Sequence, residues 1–395
     1  MDASPVATRQ DGSAEAMGQR PLRLAVVGMS VRATCGVRDH ALLLADALAD
    51  EHVSPSLHWL QRSEASMGAA RSEVGAWTRR LALELEGSRP DAVLLHYSVF
   101  SYSYRGLPLF VHPTLAALHS QRIPLVAMMH ELAYPWRYAG WRGDVWALTQ
   151  RALLIDVMRL SGAAIVTADS RAQWLASRRW LPKRRVLVAP VFSNLPPPAG
   201  VPPRDRSGHT IGLFGYSYQG AAVSLVLDAI RLLKNRGSDV QLRLLGAPGR
   251  SSSAGEAWLT AARVRALTPA LSFSEALPAQ ALSNQLAACD LLLFGDAAGP
   301  SSRKGTLAAS LASGRPVIAL DGSNRWAKLI EAQAACVAQP TPEALADAIS
   351  ALLAEEDRRE TLGARGRSFA EREMGVARSV EAVRTLLDDL LGRRS

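Results

Sequence analysis

Residues 185–215 read RVLVAPVFSNLPPPAGVPPRDRSGHTIGLFG, two short apolar runs separated by a proline-rich stretch. From Pro190 to Gly208 the stretch holds six of the chain's 22 prolines. Proline fixes φ and removes an amide donor, so this segment can continue neither a helix nor an interior strand. It reads as a linker over residues 191–208. Working outward from it in both directions, short apolar runs alternate with longer stretches of helical period, the pattern of βαβ units around a parallel sheet. Before the linker the strand candidates are LRLAVV from Leu22, SLHWL from Ser56, DAVLLHY from Asp91, PLVAMMH from Pro124, AAIVTA from Ala163 and RVLVAP from Arg185. After it come TIGLFG from Thr210, VQLRLLG from Val240, LSF from Leu271, CDLLLFG from Cys289, RPVIAL from Arg315 and AACVAQ from Ala334. The expected fold is therefore α/β, with two Rossmann-like doubly wound domains facing a central cleft.

Composition agrees with two globular domains and narrows the class. The chain has 395 residues, 48% hydrophobic and 21% charged, with a net charge of +9. That length suits two domains of ordinary size. Three scattered cysteines, Cys35, Cys289 and Cys336, offer neither a disulfide framework nor paired metal-ligand spacing, which points to a reducing compartment. No apolar run approaches the ~18 residues of a membrane span, and residues 1–20 lack the apolar centre of a signal peptide. They read as a disordered tail on a cytoplasmic protein. The positive balance favours anionic partners, and no zinc-finger or single-strand-binding motif argues for nucleic acid.

Open α/β sheets bind ligands at the carboxyl ends of their strands, so the chemistry is sought there. The first strand leads into GMSVRATCGVRDHALLLADAL from Gly28, where Gly36 opens a helix whose buried side is expected to carry Leu42, Leu43, Ala45 and Leu48. There is no GxGxxG fingerprint, which disfavours a hydride-transfer enzyme. The fourth strand runs into His130 and Glu131, followed by LAYPWRYAGWRGDVW. In the second half, GPSSRKGTLAASLASGRPVIA from Gly299 opens a helix with Ser301, Ser302, Arg303, Lys304, Gly305 and Thr306. Hydroxyls, cations and free amides at a helix start suit a diphosphate, because positive charge there opposes the helix dipole and calls for an anion. Val380, Val383, Leu386, Leu387, Leu390 and Leu391 repeat along the last segment, so that helix must dock its apolar stripe.

With these residues in view, the chain resembles the retaining nucleotide-sugar glycosyltransferases of the GT-B fold, the large family that builds bacterial polysaccharides and glycolipids. The resemblance rests on CGVRDHALLLADAL from Cys35, the His-Glu pair, PVFSNLP from Pro190, IGLFGYSYQGAAVSLVLDAI from Ile211, LPAQALSNQLAACDLLLFG from Leu277 and SGRPVIAL from Ser313. It implies domains at 21–190 and 209–372, with residues 373–395 crossing back to the first. It implies sugar transfer from a nucleotide diphosphate sugar to a sugar or lipid-linked sugar hydroxyl, with retention and without a metal, in cell-surface polysaccharide or glycolipid synthesis at the inner face of the membrane. No cofactor is expected, no Asp-any-Asp metal motif occurs, and an anionic membrane surface joins the expected partners.

The resemblance also assigns roles. His130 would lie against the transferred sugar as the catalytic residue. The donor would meet Gly36, Gly215, Tyr216, Gln219 and residues Ser301, Ser302, Arg303, Lys304, Gly305 and Thr306. The acceptor would meet Arg38, Asp39, Glu131, Trp136 and Arg137. Where the family has an Arg and a Lys for the diphosphate, this chain has Tyr216 and Gln219; where it has two glutamates, Ser301 and Ala309 stand. Arg303 and Lys304 are expected to replace the missing cations. A catalytically inert GT-B-shaped binding protein and a sugar-nucleotide epimerase of the same shape remain the alternatives.

Overall fold

The computed structural model describes residues 20–31, 35–63, 65–137, 140–200, 208–218 and 220–393. The tail expected over residues 1–20 lies outside them except for Arg20, as do linker residues 201–207 and Gln219.

The first half contains β1 (Leu22–Ser30), α1 (Gly36–Ala49), β2 (Val53–Gln61), α2 (Met67–Ser88), β3 (Ala92–Ser98) and α3 (Val111–His119). It continues with β4 (Leu125–Glu131), α4 (Gly140–Leu160), β5 (Ala163–Val166), α5 (Asp169–Ser177) and β6 (Arg185–Val188). The second half contains β7 (His209–Phe214), α6 (Gly220–Asn235), β8 (Val240–Leu245), α7 (Ser253–Val264), β9 (Leu271–Phe273) and α8 (Ala279–Ala288). It continues with β10 (Leu291–Phe294), α9 (Gly305–Ala312), β11 (Val317–Leu320), α10 (Ala327–Glu331), β12 (Cys336–Ala338), α11 (Pro342–Ala354), α12 (Glu356–Glu373) and α13 (Val376–Leu391).

Each half forms one six-stranded parallel sheet, ordered β2-β1-β3-β4-β5-β6 and β12-β11-β10-β7-β8-β9. All twelve expected strands exist. They read as continuous apolar runs because helices cover both faces of a parallel sheet, so residues on both faces are buried. Strand order reverses between β1 and β3 in one sheet and between β7 and β10 in the other. At such switch points the flanking loops part and leave a crevice at the carboxyl ends.

One face of the first sheet packs Val74, Trp77, Leu81, Leu115 and Leu154 from α2, α3 and α4. On the other face α1 and α13 lie side by side, with Leu44 and Leu48 of α1 against Val383, Leu386 and Leu387 of α13. The last helix thus returns from the second domain to the first. It is held there by the ion pairs Arg384–Glu51 at its middle and Arg185–Asp389 in its last turn. The buried side of α1 is a correction: it consists of His40, Ala41, Leu44 and Leu48, while Leu43 is 39% exposed. Spacing marks the face only to within about one residue, and docking against α13 selects it.

Candidate functional site

Residues 295–304 leave β10 and fold under the first domain before α9 begins. Ser302 is the joint: its Oγ donates to the Thr167 carbonyl at 2.8 Å, and its carbonyl accepts from the Val191 amide at 2.8 Å. Both Ser301 and Ser302 are buried, and the Ser302 hydroxyl serves the contact between domains. Trp326 Nε1 adds a hydrogen bond to Asp169 Oδ2 at 3.3 Å. The Asn194 side chain bonds the Gly36 carbonyl at 3.3 Å, so the linker start runs past the head of α1.

Two cations follow Ser302. Arg303 Nη1 lies 3.2 and 3.5 Å from the two carboxylate oxygens of Glu131, at the end of β4. Arg171 of α5 binds the same carboxylate and also donates to the His130 carbonyl. Burial lowers the Arg171 pKa, Glu131 raises it, and repulsion from Arg303 lowers it further. Lys304 Nζ pairs with Asp296 Oδ2 at 2.9 Å. Along this wall three cations face two carboxylates, leaving positive charge for an anion to meet.

Lys304 is also the N-cap of α9, and no side chain caps that end. The amides of Gly305 and Thr306 therefore open the helix with its positive dipole end toward the cleft. Gly215, at the end of β7, has φ +70, and a Cβ there would come within 2.7 Å of Thr306 Cγ2. The loops after β7 and before α9, about ninety residues apart in the chain, thus touch at the switch point of the second sheet.

Tyr216 contributes differently from expectation. Its ring is fully buried, its hydroxyl accepts from the Gly249 amide at 2.8 Å, and its carbonyl accepts from Trp258 Nε1 at 2.9 Å. It holds the loop after β8 rather than presenting a side chain to the cleft. Ala309 points into the second core at 3% exposure, so α9 supplies no polar group there.

His130 is likewise buried, 9% exposed, with Nε2 3.1 Å from His96 Nδ1 of β3. Burial, with Arg171 adding to it, pushes its pKa down to about 3, so the ring is neutral near pH 7. Its ring lies stacked on His96 and edge-on to His40, which stacks on Phe192 at 4.1 Å. Of the expected acceptor residues, Glu131 stands in the cleft; Arg38 is half-buried and Asp39 exposed on the first turns of α1. Partial desolvation raises the Asp39 carboxyl pKa, against the opposing charge of Arg38. Trp136 and Arg137 belong elsewhere. Trp136 lines a separate groove of about 450 Å³ with Leu148, Arg151, Trp174, Arg178 and Trp180, and the Arg137 amide donates to Asp144 at 2.8 Å.

Sequence reasoning missed Arg171, His40 and His96. The signal for Arg171 was available, because ADSRAQW from Ala168 is the turn after a strand that ends at the cleft. For the histidines there was none, since each comes from a different element.

Residues 208–355 match the family model described as "Glycosyl transferases group 1". No curated protein matches the chain significantly. Among solved structures, a glycosyltransferase from Rickettsia africae superposes with a TM-score of 0.69 at 12% identity, covering 94% of this chain and 99% of that one. The Anabaena protein HepE, in complex with UDP and glucose, gives 0.66 at 14% identity over 93% of this chain and 100% of its own. WaaG, a glycosyltransferase involved in lipopolysaccharide biosynthesis, gives 0.62 at 14% identity over 93% and 99%. At these identities the superpositions speak for the fold, and the family match speaks for the second domain.

Proposed function

From a chain of GT-B architecture whose second domain is that of the group 1 glycosyltransferases, we propose transfer of a sugar from a nucleotide diphosphate sugar to an acceptor hydroxyl with retention of configuration. The observation that carries this reading is the meeting of Arg303, Lys304 and the uncapped start of α9 with Gly215, opposite Glu131 and Arg171. A diphosphate fits this wall without a bridging metal. It takes the α9 amides and Arg303, displacing Glu131, and the charge that develops on it as the glycosidic bond breaks is met by groups already in place.

Retention in one displacement has the acceptor arrive on the face the diphosphate leaves. The acceptor proton then passes to the departing phosphate oxygen, and Glu131, freed from Arg303, orients the acceptor hydroxyl. His130 forms the wall beside the transferred sugar, because its Nε2 is directed to His96.

The acceptor we assign is a lipid-linked sugar, in polysaccharide or glycolipid synthesis at a membrane surface. In support, Trp141, Val145 and Leu148 of α4 are 73%, 42% and 61% exposed at one-face helical spacing. Arg142, Arg151 and Arg178 lie over neighbouring tryptophans. Aromatic and cationic groups together suit an anionic lipid interface. Among the described residues no helix is long and apolar enough to cross a membrane, so contact would be from one side.

Two measurements test the proposal. Thermal-shift titration with nucleoside, monophosphate and diphosphate should stabilise the protein most with the diphosphate; no stabilisation by any diphosphate overturns the donor assignment. Product analysis by NMR should show the donor's anomeric configuration. An inverted product overturns retention, and a changed sugar nucleotide formed without acceptor points to epimerisation instead.

A further inference from the structure

We propose that His40, His96 and His130 form a three-imidazole site for a divalent metal ion of the zinc class, buried at the switch point of the first sheet. They come from α1, β3 and β4, and among the described residues they are the set of three metal-ligating side chains that converge, with ligand atoms all within 4.8 Å of one another. Exposures are 1%, 1% and 9%.

The hydrogen bonding of the cluster is incomplete. His96 Nδ1 and His130 Nε2 share one proton at 3.1 Å, but His96 Nε2 and both nitrogens of His40 are buried with no partner. Buried polar nitrogens of this kind are uncommon and costly, and a metal held with His96 Nδ1 and His130 Nε2 would meet one of the two on His40. A core that needed only volume beside Phe192 and Trp59 would be better served by phenylalanine at 40, which carries no polar atom.

The ligand atoms are spread up to 4.8 Å, wider than in a tetrahedral centre. Bonds of 2.0 to 2.1 Å place neighbouring ligand nitrogens about 3.3 Å apart, and the His96–His130 pair already stands at 3.1 Å. Bringing in His40 requires the widest gap to close by about 1.5 Å, a side-chain rotation at the head of α1. Arg171, whose charge reaches His130, is paired with the Glu131 carboxylate that it shares with Arg303.

Three imidazoles favour zinc and its first-row neighbours over magnesium and calcium, which take oxygen. The site is thus chemically distinct from the diphosphate wall, and its role is to tie the head of α1 to β3 and β4 beneath the cleft. It does not depend on the donor assignment.

The test uses the full chain without an affinity tag, stripped with a chelator and titrated with Zn2+ and with Co2+. The expected result is one equivalent bound per chain, a raised melting temperature, and visible absorption of tetrahedral cobalt. His40→Phe should fold, lose the cobalt absorption and bind Zn2+ at least about a hundredfold more weakly. His96→Gln, as a second variant, should do the same. Absence of stoichiometric uptake by the parent overturns the proposal, as does unchanged affinity in both variants. Nucleotide diphosphate binding read on the same samples keeps the two assignments apart: a parent that binds nucleotide but takes up no zinc sinks the metal site and leaves the donor site standing.

Discussion

Arg303 of the second domain reaches across to Glu131 of the first, Nη1 lying 3.2 Å from Oε1, while Arg171 holds the other side of the same carboxylate. One carboxylate thus bridges two guanidiniums across the interdomain cleft. In the proposed function, a phosphate entering there would compete with Glu131 for the same donors.

Removing the cation is the direct check of that relationship. Arg303→Ala should weaken nucleotide diphosphate binding by about one to two decades, the worth of one charged hydrogen bond. The nucleoside should bind as before. Arg358→Ala, a change on exposed α12, is the control for lost positive charge. Equal diphosphate affinity in parent and Arg303→Ala, by calorimetry, would remove Arg303 from the site.

Neutralising the competitor should act in the opposite direction. Glu131→Gln frees both guanidiniums, so the diphosphate should bind about fivefold tighter, the effect of a partly exposed ion pair near 1 kcal/mol. Transfer should slow, since Glu131 also orients the acceptor. Weaker diphosphate binding in this variant would show that Glu131 supports the cations rather than competing for them.

The exposed stripe of α4 makes a separate prediction. Replacing both Trp141 and Leu148 with glutamate should abolish flotation with anionic vesicles at low salt while leaving the melting temperature within a degree or two, because both side chains are mostly solvent-exposed. Binding that persists in the double variant would place the lipid-facing surface elsewhere.

Docking of α13 is a matter of packing. Leu386 is fully buried between α1 and the first sheet, so Leu386→Ala should cost about 2 to 5 kcal/mol of unfolding free energy. Leu391→Ala, at the partly buried last position of the helix, should cost less. Chemical denaturation of the two variants compares them.

Asp228 gives the pH dependence. Side-chain hydrogen bonds from Arg265, at 3.0 Å to each oxygen, lower its pKa against a smaller opposing effect of burial. A carboxyl with a lowered folded pKa contributes stability above its unfolded value near 4, and that contribution fades as pH falls through the folded value. The stability gap between the parent and Asp228→Asn should be about 1 kcal/mol at pH 7 and shrink steadily below pH 4. A gap that does not change with pH would mean the pair adds nothing through charge.

Much of the architecture was legible in the chain, and for one reason. Strands buried on both faces leave unbroken apolar runs such as LRLAVV and CDLLLFG, and a proline-rich stretch cannot be anything but a connection. The apolar stripe of the last helix announced that it had to dock. The same local patterns misplaced the buried side of α1, where Leu42 and Leu43 fit a helical face as well as Ala41 and Leu44 do.

At the site, sequence reading picked out Arg303 and Glu131 but gave them to different ligands, since nothing local records that residues 172 positions apart are in contact. Tyr216 looked like a cleft residue because it follows a strand end, yet its ring turned inward to bond Gly249. Arg171 and the three histidines became neighbours only when separate strands and helices were brought to one switch point.

What the sequence by itself determined is therefore the kind and order of elements, because apolar periodicity and proline act over a few residues. Which side chains share a carboxylate, which rings are stripped of water and which cations meet across the cleft was decided by tertiary structure alone. Those properties depend on distance and burial, and both arise only when the two sheets and the returning helix have packed.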